Sequence, residues 1–423
     1  MNEILKNYYG IDEKIYSFVK DIEASVKDKL DLCDEIKEYN SYKVLKAFQE
    51  VGVEERHFIP TTGYGNNDIG RDKLAELFSD IFGAERSIVS PLLMSGTHTI
   101  VTGLLGILRP GDTLLSISGE PYDTLITSLG LENNDGYLNE FNIRYDQVDL
   151  TEDFDFDIPA IIEKLNNDPF IKICHIQRSK GYIARPALTI DQIENVIREI
   201  RKVNKEVFIT VDNCYGEFTE TKEPTEVGAD VIFGSLIKNP GAGITPTGGY
   251  ISGTERAISI IEKRFSTPST GTEIGSYAYG YRSYFQGIFL SPTIVSTALK
   301  GAIIITEAYS KLGYKVSPTN DEIRSDIAQS IIFNSEDELI KFIRAVQKAS
   351  PIDSSAVPYP DDQPGYDSKI IMASGSFNQG STIELSADAP LREPYTAYFQ
   401  GGLTIESIEL ALMIALKDMD LIH

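Results

Sequence analysis

Between residues 11 and 55 the apolar positions recur at helical spacing: Ile15, Phe18, Val19, Ile22 and Val26, then Leu30, Ile36, Val44, Leu45 and Phe48. Side chains three and four apart share a helix face, so this stretch predicts a helical arm, bounded here at residues 1–60. A glycine-rich loop, residues 61–67, precedes a further amphipathic helix over 71–82. The pattern then changes to short apolar runs alternating with helical stretches. Residues 87–90, 113–117, 171–176, 207–211 and 230–234 read as strands; 96–108 and 190–203 read as helices, the second capped by Thr189. Such alternation predicts an α/β domain over residues 61–295, a mostly parallel sheet flanked by helices. From about 291 to 312 a long apolar helix bridges to a smaller α+β domain, residues 296–423. Its expected strands are 329–333, 370–373 and 382–385, and its last element is a helix over 407–416. The proline-rich stretch 357–365 reads as a loop over the active site or an interface.

Composition narrows the function classes. With 42% hydrophobic and 24% charged residues the chain reads as soluble and globular, and its 423 residues can bury a large core. No apolar run reaches the ~18 residues of a membrane span, and the first ten residues show no secretory signal, so a cytoplasmic location is expected. A net charge of −24 argues against nucleic-acid binding through a basic surface. Cys33, Cys174 and Cys214 are far apart and have neither zinc nor disulfide spacing, so no metal site is expected. Cys214 reads as a buried structural cysteine, though it stands two residues after Asp212.

The chemistry gathers at the expected strand ends, where ligands of parallel sheets bind. Lys238 follows the run 230–234 and precedes a glycine-rich loop. There its pKa can fall and its amine become nucleophilic. Asp212 ends the run 207–211. A lysine to form a Schiff base and an acid to hold a pyridine nitrogen protonated together suit pyridoxal 5′-phosphate. Ser95, Gly96 and Thr97 open a helix and offer free N–H groups to a phosphate, or simply cap it; Ser235 could add a hydroxyl. Tyr122 could stack on a planar cofactor or be a packed turn residue. Gln177 and Arg178 could reach the cofactor ring oxygen or the substrate, with a surface position the alternative for Arg178. Arg392 is a candidate for holding an amino-acid carboxylate, or an ion-pair partner of Glu393 or another acid. The histidines His57, His98 and His175 read as structural.

In order and spacing, the segments 61–65, 70–72, 95–98, 177–182, 211–218 and 234–241 are together highly specific. By them the chain resembles fold-type I pyridoxal-phosphate enzymes of cysteine and methionine metabolism. It is most similar to their aluminium-resistance branch, which is methionine gamma-lyase-like and cystathionine beta-lyase-like. The resemblance implies a Schiff base at Lys238, a ring-nitrogen partner in Asp212, stacking by Tyr122, and a phosphate site from Ser95, Gly96, Thr97 and Ser235. It also implies that Tyr64, and less securely Arg71, complete the phosphate site of a neighbouring copy, in a homodimer or homotetramer. Ile237, where better-studied lyases have a hydroxyl residue, is a departure, as is the Gln177–Arg178–Ser179 segment. The expected reaction is cleavage of a carbon–sulfur bond in a small amino-acid substrate, with Lys238 as base, Tyr122 or Tyr64 as proton donor and Arg392 on the carboxylate. The rivals are a pyridoxal-phosphate racemase or transaminase, and a non-enzymatic metal-tolerance protein.

Overall fold

The computed structural model describes residues 1–131, 136–183, 185–362 and 368–422. Residues 363–365 of the proline-rich stretch lie outside these. The large sheet has seven strands: β1 (Arg86–Ser90), β2 (Thr113–Ser116), β3 (Arg144–Gln147), β4 (Ile171–Gln177), β5 (Phe208–Asp212), β6 (Val231–Ser235) and β7 (Gly249–Gly253). Their order is β1-β7-β6-β5-β4-β2-β3, and only β7 runs antiparallel to its neighbours. Strands β5 and β6 are buried along their whole length, as expected of a sheet covered on both faces. The register sets Gln177 beside Asp212 and Asp212 beside Phe233, so the carboxyl ends of β4, β5 and β6 finish almost level.

The covering helices follow from their apolar stripes. Ile190–Val203 buries Ile190, Ile193, Val196, Ile197 and Ile200, each worth ~1.5–3 kcal/mol of burial. Its expected cap holds: Thr189 and Gln192 form a reciprocal capping box. The N-terminal arm is two main helices, Glu13–Ser25 and Lys27–Val51, the second packed along Arg282–Lys311.

That long helix begins at Arg282, earlier than the sequence pattern placed it, and carries Pro292 inside. An internal proline removes one helix hydrogen bond and costs ~3 kcal/mol. Burial of Tyr284, Phe285, Ile288 and Val295 on both sides of it offsets that cost. The helix is long and apolar enough to cross a membrane, but 67% of its most apolar window is buried inside the protein. Its Gly287 lies against the loop after β6: a Cβ there would come within 2.5 Å of Thr245 Oγ1 and 2.7 Å of Gly241 O. The helix thus backs the segment that carries Lys238.

The second sheet is antiparallel, in the order β10-β11-β12-β9-β8, with β8 (Lys315–Ser317), β9 (Ala328–Ile332), β10 (Ile370–Ser374), β11 (Ser386–Pro390) and β12 (Thr396–Gln400). Residues 382–385, expected as a strand, form a turn instead. Glu384 fixes it by accepting the N–H groups of Phe377 (2.7 Å) and Asn378 (3.0 Å), and β11 begins only afterwards. One face of this sheet, with Ile331, Ile371, Ala387, Ala389, Ala397 and Phe399 fully buried, packs on helices. The other face carries Ser330, Asp388, Tyr398 and Gln400 and meets the loop after β4, where Tyr398 donates to Tyr182 O at 2.7 Å.

Candidate active site

Lys238 leaves the sheet three residues beyond β6, and its Nζ sits 4.0 Å from the centroid of the Tyr215 ring. Asp212, the last residue of β5, is 5% exposed and accepts the Cys214 N–H at 3.1 Å. Burial raises the Asp212 pKa, opposed first by Lys238. Around Lys238, burial disfavours the ammonium, while Cys214, Tyr215, Asp212 and Tyr122 oppose it and the net shift is upward. Of these four, the carboxylate is the group that carries charge at neutral pH, because burial keeps the thiol and both phenols protonated.

Helix Gly96–Ile107 starts beside this pair. Ser95 caps it by accepting the His98 N–H at 3.1 Å, while among the described residues the Gly96 and Thr97 N–H groups have no acceptor in the chain. A Cβ on Gly96 would come within 3.4 Å of Ser235 Cβ and 3.5 Å of Cys214 Sγ, so the helix start faces both β6 and the turn after β5. Thr97 Oγ1 lies 2.9 Å from the Tyr122 hydroxyl. Free N–H groups, two hydroxyls and an open glycine form a cradle that suits a phosphate. An aromatic ring, a carboxylate and a lysine around it suit the rest of pyridoxal phosphate.

Other sequence candidates stand differently. Gln177 has its amide engaged by the chain: Oε1 accepts the Tyr122 N–H at 2.8 Å and Nε2 donates to Ser179 O at 3.0 Å. It positions Tyr122, in place of the cofactor contact expected for it. Arg178 is fully buried and donates to Leu188 O, Asn213 Oδ1, Gly216 O and Glu220. Neither a surface position nor a substrate contact describes it. Arg71 is likewise enclosed, binding Asp72 and the carbonyls of Gly65, Glu273 and Gly275. It ties the loop bearing Tyr64 to the loop at 273–275. Tyr64 itself is 76% exposed and is not brought to Lys238 within one chain. Arg392 is exposed, makes no ion pair with Glu393 among the described residues, and lowers the pKa of the Tyr398 phenol, which burial pushes up to about 12. Asp123, next to Tyr122, acts on the same phenol, so Arg392 belongs to the mouth of this site.

Two site residues were not expected. Tyr215 holds the face of its ring to Lys238 from a left-handed backbone (φ 72°), a costly conformation for a bulky side chain. Its signal was its place three residues after Asp212. Asp388, on β11, acts on the Tyr215 phenol. Burial pushes its carboxyl up to about 7, against one hydrogen bond from Gln400. No sequence pattern marks it.

Comparison with known proteins agrees along the whole chain. The family model described as methionine gamma-lyase matches residues 15–420. A crystal structure of a candidate cystathionine beta-lyase involved in aluminium resistance, from Clostridium acetobutylicum, is 45% identical, with a TM-score of 0.95 over 99% of this chain and 98% of that one. A carbon-sulfur lyase involved in aluminium resistance, from Clostridium novyi NT, is 45% identical with a TM-score of 0.94 over the same shares. The pyridoxal-5′-phosphate-dependent protein YhfS of Escherichia coli, 17% identical, shares the fold with a TM-score of 0.62, over 92% of this chain and 97% of its own.

Proposed function

The chain belongs to the methionine gamma-lyase family, and on that premise we propose that it is a pyridoxal-phosphate-dependent carbon–sulfur lyase. Its substrate is a sulfur-containing amino acid, cleaved in the manner of a cystathionine beta-lyase or methionine gamma-lyase to ammonia, a 2-oxo acid and a thiol. The observation that carries this reading is the convergence of Lys238, Asp212 and the Gly96–Thr97 helix start at the ends of adjacent strands, with Tyr122 held to Thr97.

In this reading Gly96, Thr97 and Ser235 hold the phosphate, with Ser95 fixing the helix start. Tyr122 would cover the cofactor ring, Asp212 would pair with its nitrogen and Lys238 would be its covalent anchor. The cofactor supplies an electron sink for charge developing on the substrate α-carbon. Gln177 keeps Tyr122 in place through its N–H. Arg392 takes the substrate carboxylate as a charge-assisted pair. The amine of Lys238, once free, removes the α-proton. Tyr122, whose phenol burial keeps protonated, is placed to give a proton to the departing sulfur.

The active unit is a homodimer or homotetramer in which Tyr64 serves a second copy. Exposure of Tyr64 (76%), Leu92 (52%) and Met94 (74%) around the site supports this, as does the Gly275 backbone, which joins Tyr64 to the edge of Leu92. Three buried free cysteines suit a cytoplasmic setting. The test is 2-oxo-acid release from L-cystathionine, L-methionine and L-cysteine. Pyruvate from cystathionine identifies β-elimination and 2-oxobutanoate γ-elimination; Lys238→Ala should release neither. Full activity in Lys238→Ala, or no product from any of the three in cofactor-loaded protein, rejects the assignment.

A further inference from the structure

Lys238 and Tyr215 meet from two loops, and one side chain joins the backbones that carry them. Asn239, next to Lys238, is fully buried and donates its Nδ2 to Glu217 O at 3.0 Å. Only the amide nitrogen can serve a carbonyl, so this acceptor fixes which way the amide points. Among the described residues no other hydrogen bond joins the turn 213–220 to the lysine loop 236–245. The link closes a ring. Tyr215 leads to Glu217 O, Glu217 O to Asn239 and Asn239 to Lys238, whose amine lies 4.0 Å from the Tyr215 ring centroid.

Both sides of the link are built to hold a geometry. Glu217 stands between two residues in left-handed backbone, Tyr215 (φ 72°) and Phe218 (φ 62°). Such conformations persist only where surrounding contacts hold them, and they gather at functional sites. On the other side, Asn239 O accepts the Ser291 hydroxyl at 2.6 Å, and Thr245 Oγ1 donates to Ser283 O at 3.3 Å. Residues 283, 287 and 291 share one face of Arg282–Lys311, the face that Gly287 opens to Gly241. The lysine loop is thus seated on a long buried helix, and Asn239 carries that support across to the strained turn.

We propose that Asn239 is a positioning residue for the reaction: through Glu217 O it holds the Tyr215 ring against the Lys238 amine. Resting on the lyase reading, this makes the proton step of Lys238 depend on a hydrogen bond behind the site. The amine has to reach the substrate α-carbon from one place, and a displacement of about 1 Å can cost on the order of a hundredfold in rate. Asn239 itself faces Glu217 and the long helix, so its loss should appear in kcat and leave KM alone.

Asn239→Ala should lower kcat on L-cystathionine at least tenfold, with KM within twofold of wild type. In a Tyr215→Leu background the same change should lower kcat less than threefold, because the ring it holds is gone. An unchanged kcat, or the same fall in both backgrounds, overturns the proposal. A readout without turnover separates it from the lyase reading. Pyridoxal phosphate is added to cofactor-free protein and fixed with borohydride, and its rate of attachment to Lys238 is followed by peptide mass spectrometry. Asn239→Ala should slow attachment at least fivefold in the presence of Tyr215 and leave it unchanged in Tyr215→Leu. Equal rates throughout overturn the positioning role even where wild type releases a 2-oxo acid. Slowed attachment in a protein that releases none would support the role and reject the lyase assignment. Should Asn239→Ala fail to fold, Ser291→Ala frees Asn239 O and keeps the amide. It should lower kcat at least threefold at unchanged KM, and full kcat there overturns the proposal.

Discussion

The two walls of the cleft are built on opposite rules. On the large-sheet wall the ionisable groups answer one another: Lys238 faces Tyr215 and Asp212, and behind them Arg178 is enclosed by Asn213, Gly216 and Glu220. On the small-domain wall Asp388 has no cation and Arg392 no anion among the described residues. A self-satisfied wall holds one geometry whatever is bound, which suits a resident cofactor. A wall with unanswered charges gains its partners only from a ligand, which suits selection of a substrate.

The contrast breaks most sharply if the buried network behind the large wall is cut. Arg178→Ala leaves Glu220 and Glu223 without their cation, and removing one partner of a buried pair costs about 3–5 kcal/mol. The urea midpoint should drop accordingly; a near-normal midpoint would show that the wall is not rigidified by its own pairing.

One acid on that wall breaks its rule, and pH tests it. Glu217 is fully buried, accepts from the Tyr250 hydroxyl at 2.8 Å, and has an Oε2 with no partner among the described residues. Burial pushes its pKa up to about 8. The folded state then keeps a proton that the unfolded chain gives up above the ordinary carboxylate range. Stability is therefore lost as pH rises from about 4.5 towards 8. Glu217→Gln keeps the acceptor and removes the titration. While only the folded state holds the proton, each pH step upward costs about 1.4 kcal/mol. Between roughly pH 5 and pH 8 the wild type should thus lose about 3 kcal/mol more than the variant. Parallel pH profiles would mean that Glu217 is ionised in the fold.

The substrate wall should respond in binding and leave stability alone. Arg392→Ala should weaken substrate binding by about 1.5–3 kcal/mol, the worth of a charge-assisted hydrogen bond, seen as a rise in KM. Its melting temperature should match the wild type. A lowered melting temperature with unchanged KM would place Arg392 among the structural groups.

This division also explains what the sequence revealed. Lys238 and Asp212 were legible because each ends a short apolar run, and such strand ends are where parallel sheets bind ligands. Thr189 and the helix after it were legible from local pattern. The small wall was not, because the β11–β12 hairpin takes its place in the sheet only by pairing with β9, far away in the sequence. Arg178 and Gln177 were recognised as important, but their roles depend on what encloses them, the turn after Asp212 and the backbone of Tyr122. The start of the long helix at Arg282 was hidden by Pro292, whose cost only tertiary burial offsets.

Which lysine carries the cofactor is the central test. A second buried lysine, Lys180, is brought to about 8 by burial, yet its amine donates to Ser317 O. If low pKa selected the Schiff-base lysine, Lys180 would be chosen; if the surrounding cradle selects it, Lys238 would be. Protein loaded with pyridoxal phosphate, reduced with borohydride and mapped by peptide mass spectrometry decides between them. The account predicts the phosphopyridoxyl mass on the peptide containing Lys238 and its loss in Lys238→Ala. The label on Lys180, or on no single lysine, would contradict it.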